Sequence, residues 1–155
     1  MAQVVGVEVT ACIAGMEALE HRMNTAVRQI VEDAAHLIQL AGAAKAPVGT
    51  PGNSTNAPGD LGRSVSVEGP YGGDGIYEAK VGPTMIYSRQ RELGGAIYAK
   101  NARYMHFFQH GVERFERRVY QHPEPYMKPA RDESIEPIAV LARARVAEAI
   151  VTPKG

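Results

Sequence analysis

His106 and His110 stand four residues apart, a spacing at which two imidazoles on one helix face could share a zinc ion. The zinc-protease pattern also needs a glutamate directly after the first histidine as general base, and Phe107 occupies that place. The segment 104–108 favours a strand, so packed or surface histidines are the plainer reading. Ser64, Ser66 and Ser88 lack the Gly-x-Ser-x-Gly setting of a strained nucleophile. Glu92 follows Arg89 and Arg91 and precedes Gly94-Gly95. Its carboxylate could act as an acid, but a cap or ion pair that fixes a chain corner needs nothing further. The lone cysteine, Cys12, has no internal partner and no CxxC spacing, and reads as a small apolar residue near a helix start. No catalytic, metal or cofactor site is expected. The remaining chemistry lies in 98–120. Here Lys100, Arg103, Arg114, Arg117 and Arg118 interleave with Tyr98, Tyr104, Phe107, Phe108, Phe115 and Tyr120. Such a pattern could stack on and neutralise nucleic acid, although Glu113 and Glu116 dilute it. A solvated hairpin or a protein interface is the competing reading.

Composition narrows the choice. The chain has 155 residues, with 17 basic and 17 acidic side chains. That length suits one domain, which would bury roughly 68–70% of the surface its unfolded chain exposes. Zero net charge argues against general nucleic-acid binding, which rests on an excess of Lys and Arg. No apolar run approaches the roughly 18 residues of a membrane span, and residues 1–20 lack a signal peptide's basic start, apolar block and cleavage site. A soluble protein of a reducing compartment is expected.

The elements that position these residues follow from periodicity. Val5, Val7 and Val9 alternate with Gly6 and Glu8, which predicts a strand over 3–9, with Thr10 capping the next helix. Apolar residues then recur from Ile13 and Met16 through Leu19, Met23, Ile30, Leu37 and Ile38, predicting an amphipathic helix that ends near Gly42 to Lys45. Arg28 and Glu32 on its polar face are spaced to pair. About 34 residues make a rod of roughly 50 Å, longer than the diameter near 40 Å of a compact domain of this size. The stripe runs to both ends, so packing on a neighbouring subunit is expected. A charged residue at Leu37 or Ile38 should then block assembly more than it harms the fold. Residues 47–60, rich in Pro, Gly and Asn, predict a mobile loop without a phosphate-loop ending. Strands are expected over 61–68 and 77–81 around a turn at 69–75. A short glycine-stopped helix should lie within 84–95, bridging two halves of a sheet, with Tyr87 and Glu92 as its fixed points. A second hairpin or meander should fill 96–121, and an extended 122–129 should lead to a final helix with a kink at Pro137 or a start near Ser134. The fold class is α+β: an antiparallel sheet packed with a long N-terminal helix, a short central helix and a C-terminal helix.

Four pieces occur in order: Ala46-Pro47-Val48-Gly49-Thr50 after the long helix; Gly59-Asp60-Leu61-Gly62-Arg63-Ser64-Val65; Val81-Gly82-Pro83 with Ile86-Tyr87 and Glu92-Leu93-Gly94-Gly95; and Pro123-Glu124-Pro125-Tyr126-Met127-Lys128-Pro129-Ala130 before the last helix. This order resembles the neck or tail-completion family, the minor head–tail joining proteins of long-tailed bacteriophages, over about residues 16–150. Residues 51–58 are inserted between two pieces that are nearly continuous in the family, and Glu124 stands where a basic residue is usual. The resemblance implies a single tail-completion-like domain over 1–155 and a non-enzymatic structural protein. It would form a homo-oligomeric ring, six-fold in expectation, at the head–tail junction around the DNA channel. Its location would be the virion tail or neck, with host cytoplasm during assembly. Partners would be other copies of itself, neighbouring tail-terminator, tail-tube or head-completion proteins, and DNA passing through the channel, with no membrane. Subunit contacts are expected at Leu19, Met23, Ile30, Leu37, Ile38, Val48, Thr50, Tyr87 and Glu92. Lys100, Arg103, Arg114, Arg117 and Arg118 would face DNA or a partner. The alternative is a nucleic-acid-contacting accessory protein using 98–118.

Overall fold

The computed structural model describes the backbone of residues 2–49, 57–109 and 111–151, and the side chains of 12–49, 57–107 and 111–151. Helix α1 runs Ala2–Lys45 and α2 Asp60–Arg63. Strands β1 (Val65–Gly73) and β2 (Ile76–Pro83) follow, then α3 (Ser88–Leu93) and β3 (Gly95–Tyr98). Strands β4 (Met105–Gln109), β5 (Val112–Glu116) and β6 (Arg118–Gln121) lead to α4 (Met127–Val151). The class is α+β, with a long N-terminal, a short central and a C-terminal helix. The strands form three two-stranded ribbons, β1–β2, β3–β6 and β4–β5, rather than one sheet around α3.

Several local expectations are corrected. Residues 3–9 and Thr10 lie inside α1, which has 44 residues, or about 66 Å of helical rise. Extending an existing helix needs no new nucleus, whereas a lone strand needs a partner for every backbone group. The α1 end, Lys45 before Pro47, falls where expected. Arg28 and Glu32 form no ion pair, in keeping with the small gain that an exposed pair offers against side-chain entropy. Asp60–Arg63 is a helical turn instead of the start of a strand. Its Asp60 carboxylate accepts from the Ala57 N–H at 2.7 Å and pairs with Arg63. The Arg63 hydrogen bond, helped by that of Ala57 and opposed by partial burial, holds Asp60 below the ordinary 3.8. Strand β1 then continues through the expected 69–75 turn, including a cis Gly69-Pro70 bond, and reverses only at Asp74 and Gly75. Both take left-handed backbone, φ 51° and 78°, the conformations of a two-residue hairpin turn. Of the 47–60 loop, residues 50–56 lie outside the described residues, as does the interface candidate Thr50.

The chain divides into two compact units. The first holds Met1–Leu37, Glu68–Lys80 and Ser134–Gly155. Here α1 meets α4 through an Arg145–Asp33 ion pair at 2.9 Å, and Asn24 Oδ1 accepts the Gly75 N–H at the hairpin turn, 3.0 Å away. The second holds Ile38–Val67 and Val81–Glu133. Its core is Ala46, Leu61, Val65 and Tyr126, with Ala43, Val81, Met85, Tyr87 and Met127 against it. Gln39 Nε2 donates to the Val65 carbonyl at 2.9 Å, and Lys45 pairs with Glu133 at 2.8 Å.

Helix α4 starts at Met127, not near Ser134, and runs without a break past Pro137. Pro137 has no N–H for the Glu133 carbonyl four residues back. The division between the two units falls at Glu133 and Ser134, within that weakened turn.

Candidate functional site

The corner around α3 is built from sharply constrained residues. Tyr87 precedes α3 and packs on the buried cluster. Gly94 stops the helix at φ 66° and ψ −164°, a backbone region open essentially to glycine alone. A Cβ there would lie 2.8 Å from the Gln121 carbonyl oxygen and from the Pro123 ring. The corner presents Glu92 to the start of α4. Glu92 Oε2 accepts the Tyr126 and Met127 N–H groups at 2.7 and 3.1 Å, and Oε1 accepts that of Lys128 at 2.9 Å. A residue 34 positions earlier thus caps α4, with its negative charge at the positive end of the helix dipole. Burial works to raise the Glu92 pKa, but the three N–H groups outweigh it and hold the carboxyl below its ordinary 4.5. Arg91 adds an ion pair to Glu124 at 2.9 Å. Tyr126 is 1% exposed, and among the described residues its hydroxyl has no hydrogen-bond partner. Burial, then the charge of Glu92, then Tyr87 push that hydroxyl up to about 12. Tyr87 and Glu92 therefore serve inside the second unit.

The α1 stripe is divided along its length. Residues 12–20 are exposed throughout, with Ile13, Met16 and Leu19 at 51%, 66% and 37%. These side chains and the half-buried Met23 follow one another at three- and four-residue steps, hence on one face. They line a shallow groove together with Glu17 and Glu20. Ile30, Leu37 and Ile38 are half-buried within the chain, and Val48 is exposed. Cys12 is exposed as well.

The 95–121 arm consists of two ladders in series. In β3–β6, Tyr98 faces Arg118 and Ala96 faces Tyr120. Residues directly opposite and two apart share a face, so Tyr98, Arg118 and Tyr120 lie on the same side, the two tyrosines about 60% exposed (62% and 63%). In β4–β5, His106 faces Phe115. The two rings stack at 4.8 Å, and His106 Nε2 lies 2.7 Å from Glu113. His106 is thus occupied within the hairpin, while His110 lies outside the described residues. Between the ladders, the guanidinium groups of Arg103 and Arg117 each lie 5.7 Å from the Tyr104 ring centre, within cation–π range. Lys100, Arg103, Arg114, Arg117 and Arg118 are all exposed, and among the described residues none has a carboxylate partner. The same holds in reverse for Glu17 and Glu20.

Two of the serines bond the backbone. Ser64 donates to the Leu61 carbonyl at 2.7 Å and Ser66 to that of Gly82 at 3.4 Å. Among the described residues no group of three or more His, Cys, Asp or Glu is placed to hold a metal, and no helix is long and apolar enough to cross a membrane. Sequence spacing missed the Tyr104 cation–π pair, because Arg103 and Arg117 meet only when the hairpin closes. No family model, curated protein or solved structure matches the chain.

Proposed function

We propose that this chain is a non-enzymatic structural subunit of a closed ring at the head–tail junction of a long-tailed bacteriophage, joining tail to head around the DNA channel. The observation that carries the reading is the bare apolar face of α1, where Ile13, Met16 and Leu19 stand in solvent on a helix much longer than a small domain requires. Isolated exposed apolar residues need no explanation, but a contiguous row on one helix face marks a partner surface. The sparse core points the same way. Among the described residues the largest fully buried side chain is Tyr126, and the other buried apolar residues are small or medium-sized. The four ordered sequence pieces supply the phage setting and the six-fold expectation. Glu92 capping α4 across the Gly94 corner gives two of those pieces, around 92–95 and 123–130, a common structural purpose.

The test is negative-stain electron microscopy of a lysate from phage whose copy of this gene is inactivated. Separate DNA-filled heads and complete tails are the expected result. Joined, infectious particles would overturn the reading.

A further inference from the structure

The ring reading leaves open which surfaces meet, and charge bears on that choice. The exposed face of α1 carries Ile13, Met16 and Leu19, and the charges beside them in the same groove are Glu17 and Glu20. The arm is the opposite: five basic side chains against two acidic between 98 and 118, with one of those two, Glu113, already held by His106. Its exposed Tyr98 and Tyr120 flank Arg118 on one ribbon face. Among the described residues, Glu17 and Glu20 on one surface and the five basic side chains on the other have no oppositely charged partner, in a chain whose net charge is zero.

We propose that each subunit docks the acidic, apolar face of α1 onto the basic, aromatic arm of the next copy, in a head-to-tail contact that closes the ring. This rests on the ring reading above. Two different surfaces meeting is the heterologous geometry that generates rings. Pairing α1 with its own copy would set Glu17 and Glu20 against like charges, and pairing arm with arm would do so with cations; such juxtapositions are disfavoured. Tyr, Met and Arg are the side chains enriched where protein surfaces meet. A nucleic acid on the arm would have to tolerate Glu113 and Glu116 without any charge excess from the rest of the chain.

The experiment uses the full chain with Cys12→Ser, so that any thiol is an introduced one. Met16→Cys and Tyr98→Cys variants, both at exposed positions, are oxidised alone and mixed. A disulfide-linked dimer in the mixture, and in neither variant alone, is expected. In parallel, Glu17→Lys/Glu20→Lys should weaken self-association about ten-fold or more, as should Arg117→Glu/Arg118→Glu, and mixing the two should restore it. Circular dichroism of each variant should match that of the parent, since all four side chains are exposed. Rings that form with no mixed disulfide and no charge effect would overturn this contact and leave the ring standing. A Met16→Cys variant that crosslinks by itself would replace it with an α1-to-α1 contact. Tight, salt-sensitive binding of a short DNA duplex, lost in Arg117→Glu/Arg118→Glu while association persists, would make the arm a nucleic-acid face and overturn it. A chain that stays monomeric at every concentration would remove the ring reading itself.

Discussion

Glu92 and Tyr126 are adjacent members of one device with opposite behaviour. Glu92→Ala strips three N–H groups of their acceptor, and loss of a helix cap of this kind costs about 1 kcal/mol. Urea unfolding of the full chain should register that loss. The folded pKa of Glu92 lies below its ordinary 4.5. Its contribution is therefore complete above that pH and disappears as the pH falls through the folded value. A Glu92→Ala chain should lose less stability than the parent on acidification below pH 4.5. Tyr126 has its pKa raised from 10.0 to about 12, so its contribution is complete below pH 10 and is lost as the pH rises toward 12. Tyr126→Phe removes both this alkaline sensitivity and a buried hydroxyl without a partner. Since a buried, unsatisfied group is itself costly, Tyr126→Phe should leave stability at pH 7 unchanged or raise it by about 1 kcal/mol. A clear destabilisation would mean that the hydroxyl has a partner after all.

Among the elements, the α3–β3 corner is the least tolerant. Gly94→Ala places a Cβ 2.8 Å from backbone atoms of Gln121 and Pro123 at a positive φ, so a loss of about 1–3 kcal/mol or more is expected in thermal unfolding. Along α1, the two ends should answer differently to charge. Met16→Asp, on the exposed end, should leave the unfolding midpoint nearly unchanged while weakening association. Leu37→Asp should lower the midpoint as well, because the chain itself covers part of that side chain. The expectation that charge at Leu37 or Ile38 blocks assembly more than it harms the fold therefore passes to Met16 and Leu19. If Met16→Asp unfolds the chain, its face belongs to the monomer.

For the whole molecule, the ring reading has the small core and the bare α1 face of each subunit completed by its copies. Anything that binds the native state alone stabilises it by mass action. The unfolding midpoint of the parent should rise with protein concentration, and that of the Glu17→Lys/Glu20→Lys variant should rise less. Scanning calorimetry at several concentrations measures both, and concentration-independent midpoints would contradict assembly.

Local signals were legible where local physics decides. The α1 stop before Pro47, the glycine stop of α3 and β structure within 96–121 all follow from φ restriction, missing N–H groups and side-chain period, whereas α4 starts at Met127, inside the stretch 122–129 expected to be extended. The α+β class follows from the same signals. The order of the four ordered pieces was also visible, though not that Glu92 and Tyr126–Lys128 meet. Val5, Val7 and Val9 misled because alternation over so few residues also fits a helix already running from the downstream stripe. Gly69-Pro70 misled because a strand can hold those residues once its partner strand is beside it. Only the tertiary structure decided which part of the α1 stripe is covered, that Glu92 is a cap and that Arg103 and Arg117 share Tyr104. Each of these depends on contacts between residues far apart in the chain, and periodicity carries no information about which distant partner a face will find.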